Sequence, residues 1–557
     1  MTCFGRDNSV VRFAGSRWLG SEWLLVVVGI LLRLKHLLEN RPLWLDEAYV
    51  AVSLIGRSYS EILSNYEIFP EFARAPSVFL VIEKLMVGLF GNSEISLRLF
   101  PFLCSITALI LFTVVFRKIL SRPAFLIALA FFALAEPLVY YSAELKQYSG
   151  DLVCAIVLFA LARNYLQNGL RIKDGVILAL AGAGILWLSN AMVFVLAGIG
   201  CVGWLGKPWQ KGRTASLLCI SAGIIWLISF AGLYFSSLRF MVGKVSITNT
   251  WKSGLCSYPV FSTESLRWLW EVTALSFSDP AGLKWWGLLL PCFILGAIIL
   301  WRKEREALLL LVLPLLFVLL AALLGKYPFY KRVILFLTPV YYVLISTGIV
   351  SITGWFPKYL KKWVLLFLVV LVFFQPVADA ANNYFHSRSK TDNRGIMDFV
   401  AEYYKPGDFI YLSTSAQPPF WYYAQRSGLT RKFAQPVIGS VEGRLISGFK
   451  LATFALDPQE MNGRQFLLYK YDYNIFNSEG MFRANFSADR KNGGIGIVPL
   501  DQAFRYPVTR RTWLILSAPG PEEAGSNSFI LGSFDKTSTR LLTYEGLNAG
   551  AYLFDIK

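Results

Sequence analysis

Long apolar runs, separated by short charged or turn-rich breaks, dominate the first two thirds of the chain. Runs of about 17–25 apolar residues are long enough to cross the hydrocarbon core of a bilayer as α-helices. Eleven such spans are predicted, near residues 21–38, 97–116, 123–141, 149–166, 174–189, 191–206, 214–235, 286–301, 307–325, 333–353 and 363–379. The pattern therefore predicts a polytopic α-helical membrane protein with about 11 transmembrane helices.

The basic residues between these spans predict an orientation. Cytoplasmic loops of membrane proteins are enriched in Lys and Arg, and a cytoplasmic N-terminus places six basic clusters on that side: Arg6/Arg12/Arg17, Arg117/Lys118/Arg122, Arg163/Arg171/Lys173, Lys207/Lys211/Arg213, Arg302/Lys303/Arg305 and Lys358/Lys361/Lys362. No small-residue cleavage site follows the first span, so we expect it to stay as an anchor in the plasma (inner) membrane. The extracytoplasmic side then receives the loops 39–96, 141–150, 236–285 and 325–332, and the tail.

The tail changes character after Gln375-Pro376, where the hydrophobic runs shrink to strand length. Helical periodicity covers 394–404, and strands are predicted at Phe409–Leu412, Gln465–Tyr469, Trp513–Leu516 and Tyr552–Ile556. About 175 residues suffice for one domain with its own core. We therefore expect a transmembrane domain over 1–379, with a catalytic first extracytoplasmic loop at 39–96, and a soluble extracytoplasmic α/β domain over 380–557.

Composition supports the membrane class, since 55% of the residues are hydrophobic and only 16% are charged. A net charge of +18 would suggest nucleic-acid binding in a soluble protein. Here the cations lie in clusters of the kind that orient membrane spans, so no nucleic-acid partner is expected. The seven cysteines are scattered, none follows Cys292, and no spacing fits a zinc site or a disulfide scaffold.

Two adjacent acids, Asp46 and Glu47, follow the first span within the segment 41–49. Charge at the edge of a membrane is costly, so such a pair is a candidate for function. The segment is also a plausible helix start, which would place Asp46, Tyr49 and Ser53 on one face. The alternative is that the acids merely cap this helix.

Two further loops carry polar side chains that suit a glycan and its carrier. Tyr141, Glu144, Tyr148 and Asp151 would share one face of a helix, and an acid between tyrosines suits the hydroxyls and apolar face of a sugar. The alternative is an ordinary aromatic belt. Cations concentrate in the segment 326–332, where a lipid-linked phosphate would explain them; snorkelling toward headgroups is the alternative.

With these motifs in place, the chain resembles the GT-C glycosyltransferases, in the branch of protein O-mannosyltransferases and lipid A aminoarabinose transferases. The likeness covers about residues 20–350. It depends on the segment 45–49, on 76–101, which includes an interfacial helix and Arg98 at the mouth of the second span, and on Tyr141–Tyr148. The chain departs from many bacterial relatives at Ala75-Pro76-Ser77, where they carry Pro-Pro and a downstream Tyr, and at Lys146, near which they often carry Arg. These departures leave the donor and the acceptor undetermined.

The resemblance implies a transferase that moves a sugar from a polyprenyl-phosphate donor to a lipid, glycan or protein hydroxyl outside the cytoplasm, with inversion. It implies Asp46 as the general base, Glu47 as an assisting or orienting acid, and Glu144 as a ligand of sugar or acceptor hydroxyls. The residues expected to bind substrate are Tyr49, Arg74, Arg98, Tyr141, Lys146, Tyr148, Lys326, Lys331 and Arg332. No nucleotide or metal cofactor is required, although some relatives use a divalent cation, which Asp46, Glu47 and Glu144 could bind.

Two other classes stay open on the sequence. A lipid or sugar transporter would also be polytopic and basic, but such proteins usually carry ionisable groups near the bilayer midplane. The predicted spans at 174–206, 214–235, 307–325 and 333–353 contain essentially none away from their ends. A non-enzymatic envelope scaffold would leave the clustering of acids and cations on one face without a reason.

Overall fold

The computed structural model describes most of the chain. The described ranges are 19–63, 75–206, 213–240, 251–259, 262–386, 388–405, 408–427, 429, 482–484, 496–498, 511–517, 527–528, 531–532, 534–536 and 538–556. Within these ranges the α-helices are α1 (Leu19–Leu38), α2 (Leu45–Gly56), α3 (Tyr59–Leu63), α4 (Ser77–Phe90), α5 (Glu94–Phe116), α6 (Arg122–Leu134), α7 (Glu136–Tyr140), α8 (Tyr148–Gln167), α9 (Ile172–Leu188), α10 (Met192–Leu205), α11 (Arg213–Ser236), α12 (Thr263–Ser278), α13 (Trp286–Lys303), α14 (Arg305–Leu323), α15 (Thr338–Thr353), α16 (Lys358–Phe385), α17 (Asn393–Tyr403) and α18 (Gln417–Arg426). The strands are β1 (Phe409–Leu412), β2 (Phe482–Ala484), β3 (Gly496–Val498), β4 (Arg511–Ser517), β5 (Ser538–Gly546) and β6 (Ala549–Ile556).

Each predicted span coincides with a helix, although not every helix is equally suited to a bilayer. In the described part of the chain, seven helices are long and apolar enough to cross a membrane, or eight when a bent pair is counted as one span. Helices α9 and α10 are shorter, at 17 and 14 residues, and α1 carries three charged side chains. The prediction of a multi-pass helical membrane protein is confirmed.

The bent span consists of α6 and the segment Glu136–Ala143, which meet at 51°. Pro137 has no N–H, so the carbonyl of Ala133 loses its helical donor. Arg33 of α1 supplies donors in place of the missing N–H. Its Nη1 donates to Ala133 O at 3.1 Å, and its Nη2 donates to Phe132 O at 3.0 Å. A backbone break inside a membrane protein needs such internal partners. The buried Arg33 therefore stabilises the bend that leads into the loop at 141.

Helices α13 and α15 pack unusually closely, because glycines face the contact. A Cβ atom at Gly296 would lie 1.9 Å from the carbonyl oxygen of Leu344. One at Gly348 would lie 1.9 Å from the carbonyl oxygen of Cys292. Only a residue without a side chain allows this approach.

The tail forms the predicted α/β arrangement. Its four-stranded sheet has the order β1-β4-β6-β5, with β1 parallel to β4 and the other neighbours antiparallel. Strands β2 and β3 form a separate antiparallel pair. The strand predicted at Gln465–Tyr469 lies outside the described residues. The proposed division at 379/380 stays a prediction, and α16, which includes it, ends at Phe385.

The tail and the first loop share one hydrophobic core. Leu43, Ala48 and Val52 from the loop pack in the same buried cluster as Met397 and Trp421 from the tail. Burying apolar surface from both parts stabilises their contact. The tail therefore fixes the position of α2, the helix that carries the acidic pair.

Candidate functional site

Asp46 lies in the first turn of α2, at the end of the bundle that also carries the loop 141–147. Arg332 donates from Nη2 to Asp46 Oδ2 at 2.6 Å and from Nε to the hydroxyl of Tyr148 at 3.0 Å. The side chain of Asp46 is 28% exposed and that of Arg332 is 19% exposed. Asp46 is thus a paired carboxylate that solvent and a ligand can still reach.

Glu47, the next residue, is enclosed. Arg98 donates to both its carboxylate oxygens, from Nε at 2.8 Å and from Nη2 at 2.6 Å, and the two side chains are each 2% exposed. The backbone N–H of Leu145 donates to Glu47 Oε1 at 2.9 Å. Burial raises the pKa of Glu47, but the Arg98 charge and its hydrogen bonds outweigh burial and hold that pKa below its usual value. This buried ion pair therefore connects α2, α5 and the loop 141–147.

The acidic pair does not cap its helix through side chains. The N-cap residue of α2 is Trp44, with no side-chain capping bond. Asp46 and Glu47 instead direct their carboxylates to Arg332 and Arg98. The capping interpretation of these acids is wrong, although acids in a first helical turn still interact favourably with the helix dipole.

Glu144 lies on the second loop, where its carboxylate meets Trp44 and Lys390. Its side chain is 1% exposed, and Trp44 donates from Nε1 to Glu144 Oε1 at 3.1 Å. Its other oxygen, Oε2, lies 3.5 Å from Nζ of Lys390. Oε2 is buried, and within the part of the chain that the structure describes it has no hydrogen-bond partner.

The prediction of one helical face over 141–151 is wrong. Residues 141–143 form a single 3₁₀ turn, Glu144 has an extended backbone (φ −130°, ψ 133°), and α8 begins only at Tyr148. The extended residue turns Glu144 toward Trp44. Asp151 is buried in the first turn of α8.

Aromatic rings surround the acids and the cations. Tyr141 and Tyr148 meet edge to face with ring centroids 5.5 Å apart. The Arg332 guanidinium lies 5.1 Å from the centroid of the Trp44 ring and 5.4 Å from that of Trp251. Rings around a cation favour its charge while excluding water. Tyr49 is buried in α2.

The remaining predicted residues are distributed unevenly. Lys326 is exposed, and Lys331 is half-buried with Nζ 5.0 Å from the Tyr330 ring centroid. Lys146 is half-buried two residues after Glu144. Arg74 lies outside the described residues. Of the three cations predicted at 326–332, Arg332 is the one that contacts Asp46.

Sequence reasoning missed Lys390, Trp44 and Asp279. Asp279 is half-buried, and burial raises its pKa against the opposing charges of Lys331, Arg332 and Lys390. Lys390 had a usable signal: it follows the last span on the side that the sequence predicts to be extracytoplasmic, where Lys and Arg are usually scarce, and the same argument selected 326–332. Trp44 lies two residues before Asp46, but nothing in its pattern separates it from the other tryptophans.

A divalent cation does not fit the three predicted carboxylates as they stand. Asp46 and Glu47 each accept from a guanidinium, and Glu144 accepts from an indole. In the part of the chain that the structure describes, no group of three or more His, Cys, Asp or Glu side chains is placed to hold a metal ion. The expectation of no cofactor stays a prediction.

With this geometry in place, solved structures provide the decisive comparison. ArnT from Cupriavidus metallidurans in the apo state is similar to this chain with a TM-score of 0.52 and 10% identity, over 95% of this chain and 97% of that one. ArnT bound to undecaprenyl phosphate gives 0.52 and 11%, over 96% and 98%. The chain has the GT-C fold.

This GT-C fold is shared over almost the full length of both chains, tail included. The oligosaccharyltransferase AglB from Archaeoglobus fulgidus is a weaker match, with a TM-score of 0.47 and 11% identity over 95% of this chain and 74% of that one. No protein-family model matches the sequence. No curated protein is significantly similar to it in sequence.

Proposed function

We propose that this protein is a membrane glycosyltransferase that moves a sugar from a polyprenyl-phosphate donor to an acceptor hydroxyl, with Asp46 as the general base. The observation that carries the proposal is an accessible carboxylate, Asp46, hydrogen-bonded to a cation, Arg332, inside an aromatic enclosure. The GT-C fold supports the same chemistry, because ArnT with that fold was solved in complex with undecaprenyl phosphate.

The accessibility of the acids favours Asp46 as the base. An acceptor hydroxyl must lose a proton while it attacks the anomeric carbon, and the accepting carboxylate must be within hydrogen-bond reach. Asp46 is 28% exposed, whereas Glu47 is 2% exposed. Glu47 is also held by Arg98. The proposed role of Glu47 is to fix the position of α2 and therefore of Asp46.

Arg332 is proposed to stabilise the leaving group. As the glycosidic bond breaks, negative charge accumulates on the polyprenyl phosphate, and a fixed cation at that point lowers the barrier. A guanidinium has five N–H donors, of which Asp46 and Tyr148 use one each. A phosphate oxygen would compete with Asp46 for Arg332, which leaves the carboxylate free to accept a proton once the donor has bound.

Glu144, Tyr141 and Tyr148 are proposed to hold the sugar. The partnerless oxygen of Glu144 suits a hydroxyl donor, and the tyrosine rings suit the apolar face of a hexose or pentose. In-line displacement of the phosphate by the acceptor hydroxyl would invert the anomeric centre. The proposal places this end of the bundle and the tail outside the cytoplasm, with the N-terminus inside and the division of the chain at 379/380.

The proposal is tested on lipid and envelope-glycan extracts, compared by mass spectrometry. The extracts come from cells that carry the native chain, Asp46→Asn or Glu271→Gln. Glu271 is an exposed acid paired with Arg267 and serves as the control for loss of one charge. We expect Asp46→Asn to lower transfer by roughly 10²–10⁴-fold, the usual contribution of a general base. One glycan would disappear and a polyprenyl-phosphate sugar would accumulate, which also identifies the donor.

The Glu271→Gln extracts should match those of the native chain. Unchanged extracts from Asp46→Asn, with the variant folded and present in the membrane, would contradict the assignment of the base. If cells that lack the whole gene also showed every glycan and lipid unchanged, the transferase proposal itself would fail.

A further inference from the structure

The segment 388–392, called the strap here, joins the last long helix α16 to the tail and lies against the candidate site. Arg41 donates from Nη1 to the carbonyl of Arg388 at 3.0 Å. Arg388 is also ion-paired with Glu136 at the start of α7. The strap is therefore held to the bundle at its first residue.

The other end of the strap is held by the tail. The backbone N–H of Asp392 donates to Leu547 O at 2.9 Å, and Asn548 donates from Nδ2 to Lys390 O at 2.9 Å. Both partners lie at the turn between β5 and β6. Tyr544 of β5 donates from its hydroxyl to Asp392 Oδ2 at 2.9 Å. The hairpin of the tail thus fixes the backbone that carries Lys390.

Lys390 directs its ammonium group into the site. Nζ lies 3.4 Å from the Trp44 ring centroid, 5.0 Å from that of Tyr140, and 3.5 Å from Glu144 Oε2. The atom is buried and has no hydrogen-bond partner among the described residues. An ammonium carries three N–H donors. Its nearest carboxylate oxygen is too far for a normal hydrogen bond, so these donors are available to a ligand.

Lys390 and Arg332 contact the same indole ring. The Arg332 guanidinium lies 5.1 Å from the Trp44 ring centroid, and Lys390 Nζ lies 3.4 Å from the same centroid. Two cations in so small a space repel each other, and burial removes the water that would screen them. Asp46 contacts Arg332 and Glu144 approaches Lys390, but neither carboxylate touches both. An anion with several acceptor oxygens would satisfy the two cations together.

We propose that Lys390 is a ligand of the lipid phosphate, acting together with Arg332, so that the strap and the hairpin behind it complete the transferase site. This inference rests on the proposed function and adds to it a residue from outside the bundle. It also gives the tail a task, which is to hold one cation of the phosphate site in place.

The test is direct binding of undecaprenyl phosphate to the purified full chain in detergent, with undecaprenol as the neutral control and inorganic phosphate as the headgroup alone. The variants are Lys390→Met, Lys390→Arg and, as the matched control, the exposed Lys536→Met. We expect Lys390→Met to weaken undecaprenyl phosphate binding by about tenfold or more, the value of a charge-assisted hydrogen bond. Lys390→Arg should retain most of the affinity, Lys536→Met all of it, and undecaprenol should not distinguish the variants.

A second measurement uses competition on the native chain. Undecaprenol and inorganic phosphate, each at equal concentration, should not displace bound undecaprenyl phosphate. Displacement by inorganic phosphate would assign the site to a free anion and overturn the lipid assignment. Equal binding of undecaprenyl phosphate by Lys390→Met and the native chain would overturn the inference alone. A native chain that does not bind undecaprenyl phosphate would instead count against the proposed function.

Discussion

Asp46 and Glu47 are neighbours in the chain, yet their carboxylates have very different surroundings. Asp46 contacts a cation at an accessible position, and Glu47 is enclosed with Arg98, 51 residues away in sequence. The sequence predicted that both acids matter, because charge at a membrane edge is unusual. The residue pattern alone could not divide their roles, which only the resemblance to the GT-C glycosyltransferases did, and it could not predict the pairing of Glu47 with Arg98, which depends on how α2 packs against α5. Local patterns carry no information on such distant partners.

Glu83 is a buried acid that the proposed mechanism does not use. It lies in α4 with an exposed fraction of 0%, and among the described residues neither of its carboxylate oxygens has a hydrogen-bond partner. Burial raises its pKa well above the ordinary value of 4.5. The folded state therefore holds a proton that the unfolded chain releases. Folded stability is greatest below pH 4.5 and falls as the pH rises toward the raised pKa.

Glu83→Gln replaces this acid by an isosteric neutral group. We expect it to be nearly neutral at pH 5 and to increase stability at pH 8 by on the order of 1–2 kcal/mol, because the cost of ionising or protonating a buried acid disappears. The measurement is the thermal unfolding midpoint in detergent across pH 5–8. The exposed Glu402→Gln should follow the native profile. Parallel profiles for the native chain and Glu83→Gln would show that Glu83 does not titrate in this way.

Among the secondary-structure elements, the long apolar helices were the most predictable and the loops between them the least. Periodicity and length located the long apolar helices, since the bilayer imposes both, although seven or eight of the eleven predicted spans are long and apolar enough to cross it in the described part of the chain. The break after α6 depends on Pro137 together with Arg33 of another helix, and the extended backbone at Glu144 depends on contacts with Trp44. Neither partner is close in sequence. These irregular segments place the candidate site, so its geometry was the part that could not be predicted.

The close contact between α13 and α15 gives a prediction about an element. Gly348→Ala would place a methyl group 1.9 Å from the carbonyl of Cys292, which forces the helices apart. We expect a loss of about 1–3 kcal/mol or more, as for other overpacked contacts. Size-exclusion profiles recorded after heating would show this loss as a lower temperature at which folded protein disappears. Gly287→Ala on α13 is the matched control, because a Cβ atom there meets no other atom within 4 Å. Equal thermal stability of the two variants would mean that the helices can separate at little cost.

At the scale of the whole molecule, the tail is joined to the bundle by a buried acid. Glu94, at the start of α5 and 2% exposed, accepts from Arg394 of α17 at 2.7 and 3.0 Å and from the hydroxyl of Tyr423 of α18 at 3.0 Å. Nη2 of Arg426 lies 3.3 Å from its other oxygen. The sequence predicted a tail with its own core. It did not predict that this core continues into the first loop, because docking surfaces leave no periodic pattern.

Glu94→Gln tests whether this acid holds the tail in place. The change keeps the shape of the side chain but leaves two guanidinium groups near a neutral amide, which is costly for buried partners. Both arginines are about a third exposed, so screening by water reduces the expected loss to on the order of 2 kcal/mol. We expect faster hydrogen exchange over α17, α18 and the residues 40–45, with unchanged exchange in α13 and α15. Because the tail also holds the strap, Glu94→Gln should lower the affinity for undecaprenyl phosphate as well.

Asp535→Asn, which removes an exposed ion pair with Arg540, should change neither the hydrogen exchange nor this affinity. Native exchange in α18 of Glu94→Gln would mean that the apolar core alone docks the tail.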